Sequence, residues 1–365
     1  MKKTMNLITA VIFCLFIGAF GVMHIILPDR TFSPTENRNL SSLPEFSWKE
    51  LVDGSYTADL ETYLSDQFPM RDDWMGLKAR YEYLIGKREF HNVYLCGDTL
   101  ISKITDSSRA EQNLLNIEKL LNLTDKPVYL GLIPSAAEIW KDKLPEGAPN
   151  YDQGAFLEQA KELGAIWVDI SGVLAEHADE KIYYRTDHHW TSLGAYYGYT
   201  ALMQSAGLDV PQLGEGKTVA DDFCGTLYST SGIHWLEPDS IEYYVFDESV
   251  TVENGLTGEI GSLYVESKLE EKDKYSSFLG GNNPLYIIRN PNAATDKKIL
   301  VVRDSYSDSM APFLSQTYSE VHLMDLRYYR MSVAQYAEMA GVDEIFICYS
   351  VENFIKDADA VFIGK

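Results

Sequence analysis

Cysteine is scarce and scattered. The 365 residues hold four, of which Cys96, Cys224 and Cys348 stand far apart and Cys14 lies in an apolar run. Three widely spaced thiols make neither a disulfide framework nor a zinc pattern. Their number fits one bridge, with no pairing assignable. Basic charge is short as well: 31 Lys and Arg against 54 Asp and Glu give a net charge of −23. A surface that negative repels phosphate backbones, which argues against a nucleic-acid partner. No internal repeat is visible. What is present is ordinary for a globular protein, 45% hydrophobic and 23% charged, and excludes a disordered chain. The length allows about two domains of ~150 residues. The 24 Tyr and 6 Trp supply faces that stack on sugar rings, although such residues more often fill cores.

One long apolar run breaks this pattern. Residues 7–27 (LITAVIFCLFIGAFGVMHIIL) contain no Asp, Glu, Lys or Arg. Their number matches a hydrocarbon core of ~30 Å at about 1.5 Å per residue. Lys2 and Lys3 precede the run, so the positive-inside rule keeps the N-terminus cytoplasmic and sends the body outside. A cleaved signal peptide is the competing reading. Its apolar region spans ~7–15 residues and ends at an A-x-A-like site, whereas this run continues through Ile25, Ile26 and Leu27 into Pro28. Cys14 lacks the small-residue context of a lipoprotein site. An uncleaved, single-pass cell-membrane anchor is therefore expected.

Residues 31–53 (TFSPTENRNLSSLPEFSWKELVD) show no sustained period and read as a membrane-proximal linker. Tyr56, Leu60, Tyr63 and Leu64, then Trp74, Leu77, Tyr81 and Leu84, repeat at helical spacing. Beyond them, apolar runs alternate with helical stretches. Strands are expected at 128–133 (VYLGLI), 166–170 (IWVDI), 299–302 (ILVV), 321–324 (VHLM) and 345–348 (IFIC). Helices are expected at 154–163, 192–206, 306–316 and 332–340. This alternation predicts an α/β body around a mostly parallel sheet. Residues 207–290, rich in Gly, Ser, Tyr and acids, interrupt the rhythm and read as an inserted β-rich or irregular lobe.

Two places concentrate reactive groups. One is Tyr184-Arg185-Thr186-Asp187-His188-His189-Trp190-Thr191-Ser192, just before a helix; the other is Arg303-Asp304-Ser305-Tyr306, where a strand turns into one. A serine at such a turn sits at the open end of the sheet, where the first N–H groups of the helix point at a ligand. Those donors can hold the oxyanion of a tetrahedral intermediate. A serine hydroxyl needs a base to take its proton, and the base needs a carboxylate to fix its tautomer. Asp187 with a nearby histidine supplies both. In an extended segment residues two apart face the same way, which favours His189 over His188. Blander readings also fit: Asp-Ser as a helix cap or turn, Asp187 and Thr191 as organisers of the next helix. A metal held by Asp187, His188 and His189 is disfavoured, because adjacent histidines seldom converge on one ion. His24, His91, His177, His234 and His322 read as structural or surface residues, with His234-Trp235 placed to touch substrate.

The run TDHHWTSLGAYYGY (186–199) resembles the hallmark of the DHHW protein family. It is also similar to the Asp-x-His-Trp motif of SGNH-hydrolase-like domains in alginate O-acetylation proteins of the AlgX/AlgJ type. The stretch ENRNLSSLPEFSWKELVDGSY…YLSDQFPMRDDW (36–74) resembles the same group. The likeness covers most of the chain after the apolar run and is weakest across 207–290. In an ordinary SGNH hydrolase the serine opens the domain and the Asp/His pair closes it. Here the pair comes first, as in the circularly permuted alginate-type domains. The resemblance implies a permuted SGNH-like fold with Ser305, His189 and Asp187 as nucleophile, base and orienting carboxylate. It implies oxyanion or substrate contacts from Arg327 in DLRYY and Asn353 in YSVEN, although an ion pair or a helix cap suits these two equally. Tyr306 and Trp235 complete the expected substrate-binding set.

The expected organisation is an anchor to residue 30, a linker and membrane-proximal helices over 31–90, SGNH-like parts over 91–206 and 291–365, and the 207–290 insertion as a substrate lobe. Tyr228, His234, Trp235, Tyr243 and Tyr244 of that lobe are its candidate acceptor contacts. The resemblance implies acetyl transfer to a cell-envelope glycan without metal or soluble cofactor, with a multispanning membrane O-acyltransferase as the donor partner. An acetylesterase with the same triad and a non-catalytic glycan-binding or assembly protein are the alternatives.

Overall fold

In the computed structural model, the strand ILVV extends over Thr295–Arg303, and Ile299 to Val302 alternate between two cores. The structure describes residues 2–33 and 38–365, with side chains from Thr4 onward. The side chains of Lys2 and Lys3, and residues 34–37 of the expected linker, lie outside the described residues. The chain divides into two compact units: residues 1–87 with 232–234, and residues 88–231 with 235–365.

The first unit is helical. Helix α1 (Lys2–Ile26) is long and apolar enough over Thr4–Ile26 to cross a membrane, and that stretch is not buried in the protein. Phe20 stacks on Phe68 at 5.5 Å. The expected linker carries more structure than its composition predicts. Phe32–Ser33 pairs with Arg38–Asn39, and Trp48–Asp53 forms a short helix. Gly54, at φ 88°, then lets the chain turn straight into α2 (Ser55–Asp66). Helix α3 (Arg71–Leu84) follows. Asp66, 3% exposed, accepts hydrogen bonds from Arg38 Nη1 and the Ser41 N–H, each at 2.9 Å. The Arg38 bond leads the influences that hold its carboxyl well below the usual range, against the opposing effect of burial. Leu77, Tyr81 and Leu84 of the apolar stripe stay exposed.

The second unit is built on an eight-stranded sheet. Its strands are β1 (Val128–Ile133), β2 (Ile166–Trp167), β3 (Thr251–Asn254), β4 (Ile260–Gly261), β5 (Leu285–Arg289), β6 (Thr295–Arg303), β7 (Tyr318–Met324) and β8 (Glu344–Ser350). They lie in the order β4-β3-β5-β7-β6-β8-β1-β2. The five from β7 to β2 run parallel, while β5, β3 and β4 continue the sheet antiparallel. The helices packed on it are α4 (Ala110–Leu121), α5 (Gln153–Lys161), α6 (Ser192–Ala206), α8 (Ser307–Thr317) and α9 (Val333–Ala340); α7 (Thr226–Ser231) lies between α6 and α8 in the chain. Ile299 and Val301 of β6 face one core with Ala195, Tyr199 and Leu202 of α6 and Met310 and Leu314 of α8. Leu300 and Val302 face the other, with Leu114 and Ile117 of α4, Phe156 of α5 and Val333 and Ala337 of α9. Both faces of the sheet are covered, as parallel strands require.

Counted from β6, the parallel strands stand in the order second, first, third, fourth, fifth. This is the doubly wound order 2-1-3-4-5, entered by this chain at the fourth strand. The permutation expected from the motif order is thus present in the strand order.

Two expectations change. The IWVDI strand ends at Trp167, because Asp169 accepts from the Gly172 N–H at 3.0 Å and caps a helix over Ile170–Glu176. Residues 207–290 are not wholly an inserted lobe: β3, β4 and β5 are strands of the main sheet. The apolar run Leu285–Arg289 pairs with β7, its Leu285, Tyr286 and Ile288 buried. Only the hairpin of Lys217–Phe223 with Asp239–Tyr243, together with α7 and 3-10 turns at Glu266–Glu270 and Lys274–Ser277, stands off the sheet. All four cysteines are free thiols.

Candidate functional site

The helix after β6 packs on one face of the sheet and the helix before β8 on the other, so the carboxyl ends of these neighbouring strands open a crevice. Asp304 ties the two ends together. Fully buried, it accepts from the Tyr306 N–H at 3.1 Å, the Ser350 N–H at 3.0 Å, Ser350 Oγ at 2.6 Å and Asn353 Nδ2 at 2.8 Å. The turn it fixes carries Ser305, half-buried, one residue before the N-cap of α8. Beneath the turn, the buried guanidinium of Arg303 donates to Asp308 at 2.7 Å.

The DHHW segment meets this turn. Trp190, fully buried, donates its indole N–H to the Tyr306 carbonyl at 2.8 Å and to Ser309 Oγ at 3.0 Å. Gly194 and Gly198 let α6 lie over it, since a β-carbon on Gly198 would stand 2.7 Å from the indole. Asp187 and His189 do meet, but the segment is a bend and not extended. Asp187 Oδ1 accepts the His189 N–H at 3.0 Å, a local turn that swings the ring back onto the same carboxylate, Nδ1 to Oδ1 at 2.6 Å. Across the ring, His189 Nε2 lies 2.8 Å from Ser305 Oγ.

The electrostatics follow from these contacts. Burial pushes the Asp187 carboxyl up, but the facing His188 and His189, the hydrogen bond from His189 and the Thr226 N–H outweigh it and hold it well below the usual range. A persistent carboxylate takes the Nδ1–H of His189, which leaves the Nε2 lone pair facing the serine hydroxyl. Burial, then His189, lowers the pKa of His188. Its Nδ1 lies 2.7 Å from Thr226 Oγ1. Asp187, His188 and His189 bring ligand atoms within 4.8 Å of one another, yet these atoms are turned toward protein partners.

The other expected residues divide. Arg327 gives Nε and Nη2 to Asp325 at 2.9 and 2.6 Å, which, with burial opposing, raises its pKa. Its Nη1 makes no protein hydrogen bond among the described residues. Asn353 does not cap the helix that follows β8; Ser350 does, and Asn353 spends one amide hydrogen on Asp304. Tyr306 is not an exposed substrate contact: it is 2% exposed and its hydroxyl donates to the His188 carbonyl. Trp235 is half-buried beyond the end of α7. Tyr243 is a core residue, stacked on Tyr264 at 3.7 Å, and His234 belongs to the first unit beside Gly76.

Three residues of the site carry no recognisable signal in the sequence, and all come from the 207–290 stretch. Thr226 donates its N–H and hydroxyl to Asp187 Oδ2 at 2.7 and 3.0 Å. Gly225 precedes it. Tyr275 stacks on the His189 ring at 3.9 Å, 10° from parallel.

A family model described as DHHW protein matches residues 36–125 and 154–324. No curated relative matches the chain. Among solved structures, a DHHW family protein from Eubacterium siraeum is similar with a TM-score of 0.65 and 22% identity, covering 75% of this chain and 95% of its own. Bacillus cereus PatB1 with a sulfonyl adduct is similar with a TM-score of 0.60 and 20% identity, covering 74% and 97%. These likenesses extend over the permuted α/β fold described above. With its Asp187-His188-His189-Trp190 run and a family match over most of its length, the chain belongs to the DHHW protein family.

Proposed function

We propose that this protein is a membrane-anchored, extracytoplasmic O-acetyltransferase that modifies a cell-surface or exported polysaccharide through an acyl-enzyme on Ser305. The observation that carries the reading is the unbroken chain Asp187 Oδ1–His189 Nδ1 at 2.6 Å and His189 Nε2–Ser305 Oγ at 2.8 Å. Nucleophile, base and orienting carboxylate stand in the relation that acyl transfer requires.

In the first step Ser305 Oγ attacks the acetyl carbonyl carbon and its proton passes to His189 Nε2. The tetrahedral intermediate collapses as that proton goes to the departing oxygen of the donor, leaving acetyl-Ser305. A sugar hydroxyl then attacks, its proton passes to the same Nε2, and Ser305 Oγ takes it back as it leaves. Asp187 stays ionised and stabilises the imidazolium formed in both steps. Arg327 Nη1 and the second amide hydrogen of Asn353 are the candidate oxyanion donors. Helix α1 is the single-pass anchor, with Lys2 and Lys3 on the cytoplasmic side. A multispanning membrane O-acyltransferase is the proposed donor partner, a cell-envelope glycan the acceptor, and Trp235 a candidate contact to it.

Transfer must outrun hydrolysis, with water at ~55 M, and orientation of a bound hydroxyl, worth up to ~10⁵ M or more, achieves this. The test is full-length protein in detergent with 4-nitrophenyl acetate and oligosaccharides of the organism's own envelope polymers. Mass spectrometry of the sugars shows acetylated products if the reading holds. If every oligosaccharide stays unmodified while pre-acetylated forms lose acetate, the protein is an esterase with the same triad.

A further inference from the structure

We infer that Tyr275 is a positioning residue for acyl transfer, fixing the plane of the His189 ring and the backbone of Ser305 at once; the inference rests on the proposed triad. Two contacts carry it. The phenol ring lies 3.9 Å from the imidazole, centroid to centroid, and 10° from parallel. Its hydroxyl, at the far end, reaches the Ser305 carbonyl at 3.0 Å, Ser309 Oγ at 3.1 Å and the Tyr306 carbonyl at 3.4 Å. One side chain thus touches both partners of the His189–Ser305 hydrogen bond.

The physical need is specific. Asp187 meets the imidazole at Nδ1 and Ser305 meets it at Nε2, so the tilt of the ring between them is set by the rings packed against it: Tyr275, together with His188 at 3.8 Å and Tyr306 at 4.9 Å. Of these Tyr275 alone is near parallel, covering one face flat while leaving Nε2 open to exchange a proton. Tyr275 is itself firmly packed. It is 4% exposed and lies 5.3 Å from Phe278 and 6.3 Å from Tyr184, within a hydrophobic cluster that includes Phe223, Ile241 and Tyr243. Burial, then the Asp308 charge, pushes its phenol well above the ordinary range, so it stays neutral. The aromatic core of the 217–278 stretch is therefore the support of the base. This gives part of the sequence-irregular region a role at the site.

The experiment uses full-length protein in detergent and two readouts: hydrolysis of 4-nitrophenyl acetate, and the rate at which phenylmethylsulfonyl fluoride labels Ser305. Tyr275→Phe keeps the stack but removes the hydroxyl from the Ser305 carbonyl, and should lower both by roughly 3- to 10-fold, the worth of one neutral hydrogen bond. Tyr275→Leu should lower kcat and the labelling rate by roughly 10²-fold with KM little changed, the loss expected of a misplaced reacting group. Labelling and turnover within ~3-fold of wild type in Tyr275→Leu would overturn the inference. A measurement independent of that variant's folding is the ¹³C-histidine NMR spectrum. The His189 ring resonance, assigned by its loss in His189→Gln, should be shifted upfield by the tyrosine ring current in wild type and Tyr275→Phe; an unshifted resonance also overturns the inference. Ser305→Ala separates the two layers. Turnover and labelling that survive it sink the triad, whereas activity that needs Ser305 but ignores Tyr275→Leu sinks this inference alone.

Discussion

Gly225 lies so close to Asp187 that a β-carbon on it would stand 2.3 Å from both Cβ and Oδ2 of the aspartate. No side chain fits there without moving the carboxylate that orients His189. Gly225→Ala should therefore lower ester turnover by roughly 10²-fold, since small displacements of an aligned group are that costly. Circular dichroism should show the fold retained. Wild-type turnover in this variant would mean that the position of Asp187 does not matter to the chemistry.

Thr226 supplies both donors to Asp187 Oδ2, and its hydroxyl also faces His188. Thr226→Val removes the hydroxyl and keeps the N–H. Loss of one bond to a charged group is worth about 1.5–3 kcal/mol, so kcat should fall by roughly 10- to 150-fold while KM stays level. Steady-state kinetics on a chromogenic acetate ester decides it.

Trp190 pins the Ser305 turn from beneath through its indole N–H. Trp190→Phe leaves the Tyr306 carbonyl and Ser309 hydroxyl short of a buried donor and opens a void. A loss of about 2–4 kcal/mol in unfolding free energy is expected, read from denaturant midpoints. A stability equal to wild type would show that the tryptophan does not hold the turn.

Acid should act on the first unit through Asp66. Its carboxyl is lowered in the folded state from the ordinary 3.8, so the unfolded chain takes up the proton more readily. The stabilisation is present above about pH 4 and drains away as pH falls through the folded value. Asp66→Asn should flatten that acid limb in thermal melts recorded from pH 6 downward. An unchanged limb would assign the acid loss to other groups.

Much of this was legible in the chain because it is local. The apolar runs at 128–133, 299–302, 321–324 and 345–348 mark buried parallel strands, and the Asp-x-His run ahead of a strand-to-helix serine marks the candidate site. What escaped is what depends on long-range approach. Asp304 looks like a turn residue until Ser350 and Asn353 arrive from β8. Gly225, Thr226 and Tyr275 sit in a stretch without period, and only folding places them against Asp187 and His189. Tyr306 departs from expectation for the converse reason: adjacent in sequence to Ser305, it points inward to the His188 carbonyl. An extended backbone predicts the pairing of Asp187 with His189, whereas a bend closed by the His189 N–H brings it about.

The central claim is that Ser305 carries the acyl group and His189 activates it. The most direct measurement is intact and peptide mass spectrometry of full-length protein quenched in acid within the first turnover of an activated acetate ester. The account predicts a single acetyl group on the peptide holding Ser305, absent in Ser305→Ala and strongly reduced in His189→Ala, with His188→Ala much less affected. Acetyl on another residue, label that persists in Ser305→Ala, or a His188→Ala loss equal to that of His189→Ala would contradict it.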